Sequence, residues 1–413
     1  MQNYKRTKLS CYYSYLSMAS IFSLPPLLFV TFHENYGVSY TLLGTLVAVN
    51  FCTQLIIDLI FTFFTKYFNI KKTVTVMPLI TSLGLLIYAL VPWLFPEYAY
   101  IGLVIGTFVF SISAGLSEVL LSPVVAAIPS ETPDRDMSLL HSLYAWGVVT
   151  VVVISTAFLK IFGTHNWMYL TLFWAVVPIV AFILFSTSPM PEVNVSNSDN
   201  SKNAGKKQLV MTLCVLCIFF GSAAENSMTN WISSYIENAL HLPKALGDIL
   251  GMASFAVCLG LTRTWYAKRG KNIYKVLMFG MSGAVICYLI AGLSPIPALS
   301  LIACIITGVC ASMLWPGSLI LMEEKLPHVG VAAYALMAAG GDFGASIAPQ
   351  LLGIVVDKVE AANFALKLSE SLSLSTEQIG MKAGMLVAAI FPVFGIMVLL
   401  IIKKKLNIKN NKA

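Results

Sequence analysis

Four carboxylates stand inside long apolar stretches of the sequence. Glu118 and Asp342 lie near the middle of their stretches, Glu225 lies in a third, and Asp58 lies towards the end of a fourth. A charge in the middle of a bilayer costs about 2.5 kcal/mol or more, so such acids face a protein interior or a watery cavity. Each of the four is therefore a candidate for binding a solute or a proton.

The helical neighbours of Glu118 are small residues, whereas a lipid-facing surface consists mostly of Leu, Ile and Phe. Ser111, Ala114, Gly115 and Ser122 stand three, four or seven positions from it along the chain, which is the spacing of one helix face. This pattern predicts that Glu118 and Ser122 line a pathway through the membrane. The alternative is a neutral carboxylic acid that makes one structural hydrogen bond.

The segment FFGSAAENSMTNW, which contains Glu225, is the most polar part of any apolar stretch. We expect Glu225, Asn226 and Trp231 to line a central cavity there. The alternative is a polar clamp between two helices. Asp342 is surrounded by small residues, and Gly340 and Gly344 form a small-xxx-small pair that lets helix backbones approach closely. We expect it either to line the same pathway or to bond a neighbouring helix.

Asp58 precedes the basic segment FTFFTKYFNIKK and differs from the other three acids in its position. We expect it to pair with Lys66 or Arg263 at an inner gate, to which Arg269 also belongs.

The segment LLHSLYAWGVV adds His141, Tyr144 and Trp146. Indole rings stack on the apolar face of sugars and attract cations, so Trp146 and Trp231 suit either kind of ligand. The alternative for Trp146 is a place in the aromatic belt at the membrane surface. His141 stands near the end of its stretch, where a structural role is the alternative to proton transfer.

The amino-acid composition indicates which kind of secondary structure must position these candidate site residues. Of the 413 residues 58% are hydrophobic and only 11% are charged, which is typical of an integral membrane protein. The apolar stretches are continuous and about 20 residues or longer, which predicts helices rather than strands. The net charge of +7 is spread over many short loops, so we expect a lipid bilayer and no nucleic acid as the partner.

About twelve spans are expected, and Pro25 and Pro26 should bend the first. With the N-terminus inside, most of the 26 Lys and Arg residues fall on the inner side, which predicts that both termini are cytoplasmic. The polar segment 188–208 is interpreted as a cytoplasmic linker between two six-helix halves, residues 1–187 and 209–413. The expected location is the cell (plasma) membrane, and a monomer is expected.

The two halves share markers at one spacing. Pro123 and Pro316 are each followed by an acid eight residues on and by a glycine 24 residues on, Gly147 and Gly340. Aligned markers in corresponding spans predict a parallel duplication of one six-helix unit.

About twelve spans, a central linker and duplicated halves together resemble the major facilitator superfamily. The loop pattern of that family is kept in part, with Lys66 at its arginine, Lys71 and Lys72 at its basic end, and Arg269-Gly270 in the corresponding loop of the second half. Thr65 stands where the family has an aspartate.

Within this family, Glu118 and Pro123 are similar to the E-x-x-x-N-P pattern of the fucose permease branch, and Ser122 replaces its asparagine. Glu225 followed by Trp231 is also similar to that branch. The resemblance implies that Glu118 takes part in substrate recognition and proton coupling. Pro26 stands where the branch carries an acid in its first span, so the acid pair of that branch is incomplete here.

These patterns predict an all-α integral membrane transporter that takes up a sugar or another small polar solute with protons. One alternative is an efflux pump for drug-like or cationic compounds, and another is a receptor or scaffold that no longer transports. The sequence contains no metal-ligand spacing, no glycine-rich phosphate loop and no Walker pattern. We therefore expect no enzyme activity, no cofactor, no metal and no ATP-driven transport by this chain.

Overall fold

The structure is a computed structural model that describes residues 4–64, 67–131, 133–191, 204–270, 272–326 and 331–405. Every regular element in these ranges is helical, because in lipid the backbone must satisfy its own hydrogen bonds. The helices are α1 (Lys5–Tyr36), α2 (Tyr40–Phe64), α3 (Ile70–Leu94), α4 (Ala99–Ala126), α5 (Pro133–Phe162), α6 (Trp167–Ser186), α7 (Ala204–Ser234), α8 (Lys244–Leu246), α9 (Ser254–Arg269), α10 (Ile273–Leu293), α11 (Pro297–Ala311), α12 (Leu314–Lys325), α13 (Val331–Glu360), α14 (Asn363–Leu372), α15 (Thr376–Ala388) and α16 (Ile390–Lys405).

By length and composition, ten of the described helical segments could each cross a membrane, or eleven if the two parts of α1 count as one span. The predicted eighth span corresponds to α8, a π-helical stretch Gly247–Ala253 and α9. It is less apolar than the others because it carries Asp248 and Arg263. The expected fold, two six-helix halves built from about twelve spans, is confirmed.

Helix α1 bends by 45° where it passes Pro25 and Pro26. Two successive prolines remove two backbone donors and push the chain away from the preceding turn. The predicted bend is therefore confirmed. The segment between the last two spans contains the short surface helix α14.

Two glycines in corresponding helices of the two halves make the same kind of close approach. A Cβ atom on Gly147 of α5 would meet Leu16 O and Ala19 Cβ of α1, both at 2.8 Å. A Cβ atom on Gly340 of α13 would meet Val215 Cγ1 of α7 at 2.7 Å. The fifth span of each half thus packs against the first span of the same half through a glycine, as the duplication predicts.

Helix α2 of the first half and α13 of the second run antiparallel in contact along most of their length. At the end of the bundle that holds the α1–α2 loop, called the far end below, Asp357 of α13 accepts hydrogen bonds from the backbone N–H groups of Tyr40 and Thr41, at 3.1 and 2.7 Å. Tyr40 also donates its hydroxyl to Glu377 and accepts from Asn238 Nδ2 at 2.6 Å. The two halves are therefore closed against each other at the far end.

The opposite end, called the near end, holds the start of α1 and the end of α6, where Thr7 donates to the Pro189 carbonyl. Most of the predicted linker 188–208 lies outside the described residues, and α7 begins at Ala204.

Candidate functional site

Three of the four predicted acids lie close together where the halves meet. Asp58 of α2 and Asp342 of α13 are each only 1% exposed, and both lie on the helices where α2 packs against α13. Glu118 lies on α4, which packs against α2. Cys52 lies about two turns from Asp58 on α2, and Ser346 lies about one turn from Asp342 on α13. Cys52 Sγ and Ser346 Oγ are 3.0 Å apart, so the antiparallel contact of α2 and α13 positions the two acids.

The fourth acid, Glu225, forms an ion pair with Arg263, with 3.2 Å between Oε1 and Nη2. Arg263 also donates from Nε to the Ser312 carbonyl at 2.8 Å. Ser312 lies at the break between α11 and α12, where the last carbonyls of a helix lack intrahelical partners. One guanidinium group thus joins α9, α7 and the end of α11.

The expected pairing of Asp58 with Arg263 is wrong. Helix α9 packs against α5 and α11, whereas Asp58 faces α13 and α4, so Glu225 is the acid within reach of Arg263. Lys66, the other expected partner, lies outside the described residues. Arg269 ends α9 as an exposed side chain.

The polar residues that follow Glu225 bond mainly to their own helix. Asn226 Nδ2 donates to the Ser222 carbonyl at 3.1 Å, and Thr229 Oγ1 donates to the Glu225 carbonyl at 2.9 Å. Glu225 itself bonds to another helix, through Arg263 of α9. Helix α7 is continuous through this segment to Ser234, so the partly exposed Asn226 lies on an intact helix face.

Tyr144 of α5 brings the first half to this ion pair. Its ring packs edge-on against Phe22, with 5.7 Å between ring centroids, and its hydroxyl lies within electrostatic range of Glu225, Arg263 and Glu118. Tyr144 therefore lies near both Glu118 and the Glu225–Arg263 ion pair.

The two tryptophans are placed differently from the prediction of ligand stacking. Gly147 of α5 faces α1, and Ala145 faces Gly260 of α9 at 3.5 Å. Trp146 lies on the opposite face from Tyr144 and is 49% exposed, which favours the alternative of a place at the bilayer surface. The side chains of Ser122 and His141 lie outside what the structure describes.

Trp231 is fully buried. Its indole Nε1 donates to the Pro349 carbonyl at 3.1 Å, and its ring packs against Phe29 and Tyr40. Trp231 therefore joins α7 to α13 through its indole nitrogen and to α1 through its ring in this conformation.

Sequence reasoning missed the polar residues Asn50, Gln54 and Asp248. Asn50 and Gln54 precede Asp58 at intervals of four residues, a helix-face signal that was available. Asp248 is 1% exposed and accepts hydrogen bonds from Ser233 and from Thr156 at 3.3 Å. It joins the halves near the far end, and its partners could not be read from spacing because they lie in other helices.

Within the described ranges, no group of three or more His, Cys, Asp or Glu side chains is placed to hold a metal ion. The arrangement can hydrogen-bond a polar ligand.

A sequence profile described as Major Facilitator Superfamily matches residues 13–349. A search of curated proteins gave no match. Among solved structures, the fold is similar to a bacterial homologue of the human lysosomal transporter Spinster in an inward-facing, occupied conformation, at TM-score 0.78 and 12% identity, with all of both chains covered.

Two further solved structures share the fold. The D-xylose–proton symporter has TM-score 0.72 and 14% identity over 94% of this chain and 97% of its own. The E. coli fucose:proton symporter has TM-score 0.60 and 15% identity over 95% of this chain and 99% of its own.

Proposed function

Because the chain belongs to the Major Facilitator Superfamily, we propose that it is a secondary active transporter that takes up a small polar solute, such as a sugar or sugar derivative, together with a proton. The observation that carries this proposal is the polar centre shared by the two halves. Tyr144 and Glu118 come from the first half, and Glu225 and Arg263 from the second. A solute bound there contacts both halves, as alternating access requires.

The chemistry of this centre supports a ligand with several hydroxyl groups. The Arg263 guanidinium is a fork of donors, Glu225 is an acceptor, and Tyr144 and Asn226 each both donate and accept. A ligand that replaces the Glu225–Arg263 contact with its own hydroxyls would keep these buried groups paired. An apolar ligand would leave them unpaired, at a cost of about 1–3 kcal/mol each.

The excess of basic residues at the near end supports placing that end in the cytoplasm of a cell whose plasma membrane the protein spans. Contacts between the halves are extensive at the far end, so the conformation described is one closed to the outside under this orientation. We propose that the protein acts as a monomer.

A second candidate, export of a cationic compound, is favoured by one specific observation. Asp58, Glu118, Asp342 and Glu225 lie in the interior, and Arg263 pairs with Glu225. Carboxylates in the interior suit a cation. The two candidates differ in the ligand that stabilises the fold.

The test is a thermal-shift screen of the purified protein with sugars, nucleosides and lipophilic cations, because a ligand that binds the folded state raises the melting temperature. Hits are then tested for uptake into vesicles. We expect a hydroxylated solute to raise the melting temperature and to be transported. Stabilisation by lipophilic cations alone would support the export candidate, and binding without transport would support a receptor.

Glu118→Gln tests the proton coupling. Glutamine keeps the size and much of the hydrogen bonding of the protonated acid but does not titrate, so we expect loss of accumulation driven by a pH gradient and retention of solute counterflow. Glu97→Gln, at an exposed position, is the matched control and should behave as the wild type. Gradient-driven accumulation by the Glu118 variant would remove Glu118 from proton coupling. Loss of counterflow in a folded variant would instead make it a binding residue that needs its charge.

A further inference from the structure

Helix α14 (Asn363–Leu372) joins the last two membrane-spanning segments at the far end. Two residues separate it from the end of α13 at Glu360, and three separate it from the start of α15 at Thr376. The Ser369 hydroxyl also donates to the Leu374 carbonyl in the second connection at 2.6 Å. Connections this short hold α14 at the level where the two spans leave the bilayer.

The side chains of α14 separate into an apolar and a polar face. Phe364, Leu368 and Leu372 follow each other at intervals of four residues, so they lie along one face of the helix. Lys367 and Glu370 are three residues apart and lie on another face. A helix with Phe and Leu on one side and charges on the other is typical of helices that lie in the plane of a membrane surface.

The helical bundle leaves this apolar face open. Ala365 is buried, and α14 packs against α15. Phe364, Leu368 and Leu372 are 54%, 41% and 55% exposed, respectively. Large apolar side chains that are exposed together on one helix face form a contiguous patch, and such a patch indicates a surface that a partner covers.

The position of α14 identifies lipid as that partner. A helix of 10 residues is only marginally stable in water by itself, so an uncovered apolar face would leave α14 dependent on its contact with α15. The neighbouring spans, which end at Glu360 and begin at Thr376, are surrounded by lipid up to that level. The boundary between headgroups and acyl chains therefore lies beside the open face.

We propose that α14 lies in the plane of the bilayer surface at the far end, with Phe364, Leu368 and Leu372 inserted among lipid acyl chains. Lys367 then reaches the headgroups and the water above them. Because α14 is joined closely to α13, this contact fixes the depth of the end of α13, which carries the Asp357 cap of α2. The lipid surface thereby supports the closed arrangement of the far end, whichever solute the protein carries.

The first test is spin labelling of the full-length protein in phosphatidylcholine vesicles. Leu368→Cys places the label on the apolar face, and Lys367→Cys, one residue earlier, is the matched control on the polar face. Oxygen concentrates in the acyl region, whereas a nickel chelate stays in water. We expect the ratio of oxygen to chelate collisions to be at least about threefold higher at position 368 than at position 367, as for a helix whose apolar face is in lipid.

Equal ratios at the two positions would place the apolar face in water and overturn the proposal. Weak collisions with both reagents at position 368 would show that protein, such as a second copy of this chain, covers the face, and would also overturn it. Both positions are exposed, so the variants should fold. Six of the eight native cysteines are buried and the other two are half-buried, and the parent without an added cysteine corrects for their labelling.

The second test is hydrogen exchange of the α14 amide groups in the same vesicles. Leu368→Gln weakens the lipid contact, so α14 should open more often and its amides should exchange about fivefold faster than in the wild type. Lys367→Gln introduces the same side chain on the polar face and should leave the rates within about twofold of the wild type. Equal rates in the two variants would show that lipid does not hold the helix. Neither test measures transport, so failure of the proposed function would leave both results unchanged.

Discussion

Asp136 lies in the first turns of α5, outside the membrane-spanning segments, and connects α5 to α1. It forms an ion pair with Lys8 of α1 and accepts hydrogen bonds from Ser130 and Tyr12. The hydrogen bond from Lys8, then that from Ser130, holds the pKa of Asp136 below its ordinary value. A lowered pKa means that the ionised form is the one that stabilises the folded state.

We therefore expect Asp136→Asn to lower the melting temperature at about pH 7 and to have little effect at about pH 3. The ionised Asp136 carboxylate stabilises the folded state fully above the unfolded-state pKa of about 3.9. This stabilisation disappears as the pH falls through the lower folded-state pKa. Thermal unfolding at both pH values measures it, with exposed Glu34→Gln as the control. A variant equally destabilised at both pH values would show that the carboxylate charge is not the cause.

For single residues, the burial of the acids could be predicted from the sequence, but the side chains that they contact could not. An acid within an apolar run had to face the interior, and Asp58, Asp342 and Glu225 do so. Asp58 lies on α2 where that helix packs against α13, and the partner of Glu225 is Arg263 on α9, because the register between distant helices decides which side chains meet. That register depends on packing between the halves, which no spacing along one helix contains.

Among the helices, a close approach between two backbones decides how α13 packs on α7. A Cβ atom on Gly344 would overlap the Phe219 carbonyl oxygen, whereas a Cβ atom on Gly260 of α9 would meet only Ala145 Cβ at 3.5 Å. The Phe219 carbonyl oxygen belongs to the backbone and cannot move aside, whereas 3.5 Å from Ala145 Cβ is an ordinary van der Waals distance.

Gly344→Ala should destabilise the protein by about 1–3 kcal/mol, the usual range for overpacking. Gly260→Ala should be neutral or stabilising by up to about 1 kcal/mol, because alanine favours the helix. Both variants receive the same methyl group, so the difference between their melting temperatures measures the fit of α13 against α7. Equal effects would contradict the close approach.

Most elements could be predicted because their signals are local. The apolar lengths predict the spans, and Pro25 and Pro26 predict the bend of α1. The break between α11 and α12 was not predicted, although a local signal exists: Pro316, four residues after Ser312, has no N–H to donate to the Ser312 carbonyl. The carbonyl of Ser312 is satisfied by Arg263 from another helix, and that distant donor makes the break tolerable.

For the whole molecule, the contact of Asp357 with the start of α2 closes the far end. A carboxylate that accepts from the first N–H groups of a helix is a favourable cap, and its loss costs about 0.5–2 kcal/mol. We expect Asp357→Ala to raise the labelling rate of a cysteine placed at buried Leu43 by about tenfold, as the halves part more often.

The measurement compares Leu43→Cys with and without Asp357→Ala, using a water-soluble thiol reagent on the purified protein. The parent without the added cysteine corrects for the eight native thiols. Glu34→Ala, also at the far end but exposed, is the matched control. An unchanged labelling rate in the Asp357 variant would mean that other contacts close this end.

The same cap has a consequence for synthesis. Thr41 and Asp357 are separated by 316 positions in the chain. At about 5–20 residues per second, α2 waits roughly 15 to 60 s for its cap after it leaves the ribosome. During that interval its first turn must rely on water or lipid headgroups, so the first half matures only when the last helices arrive.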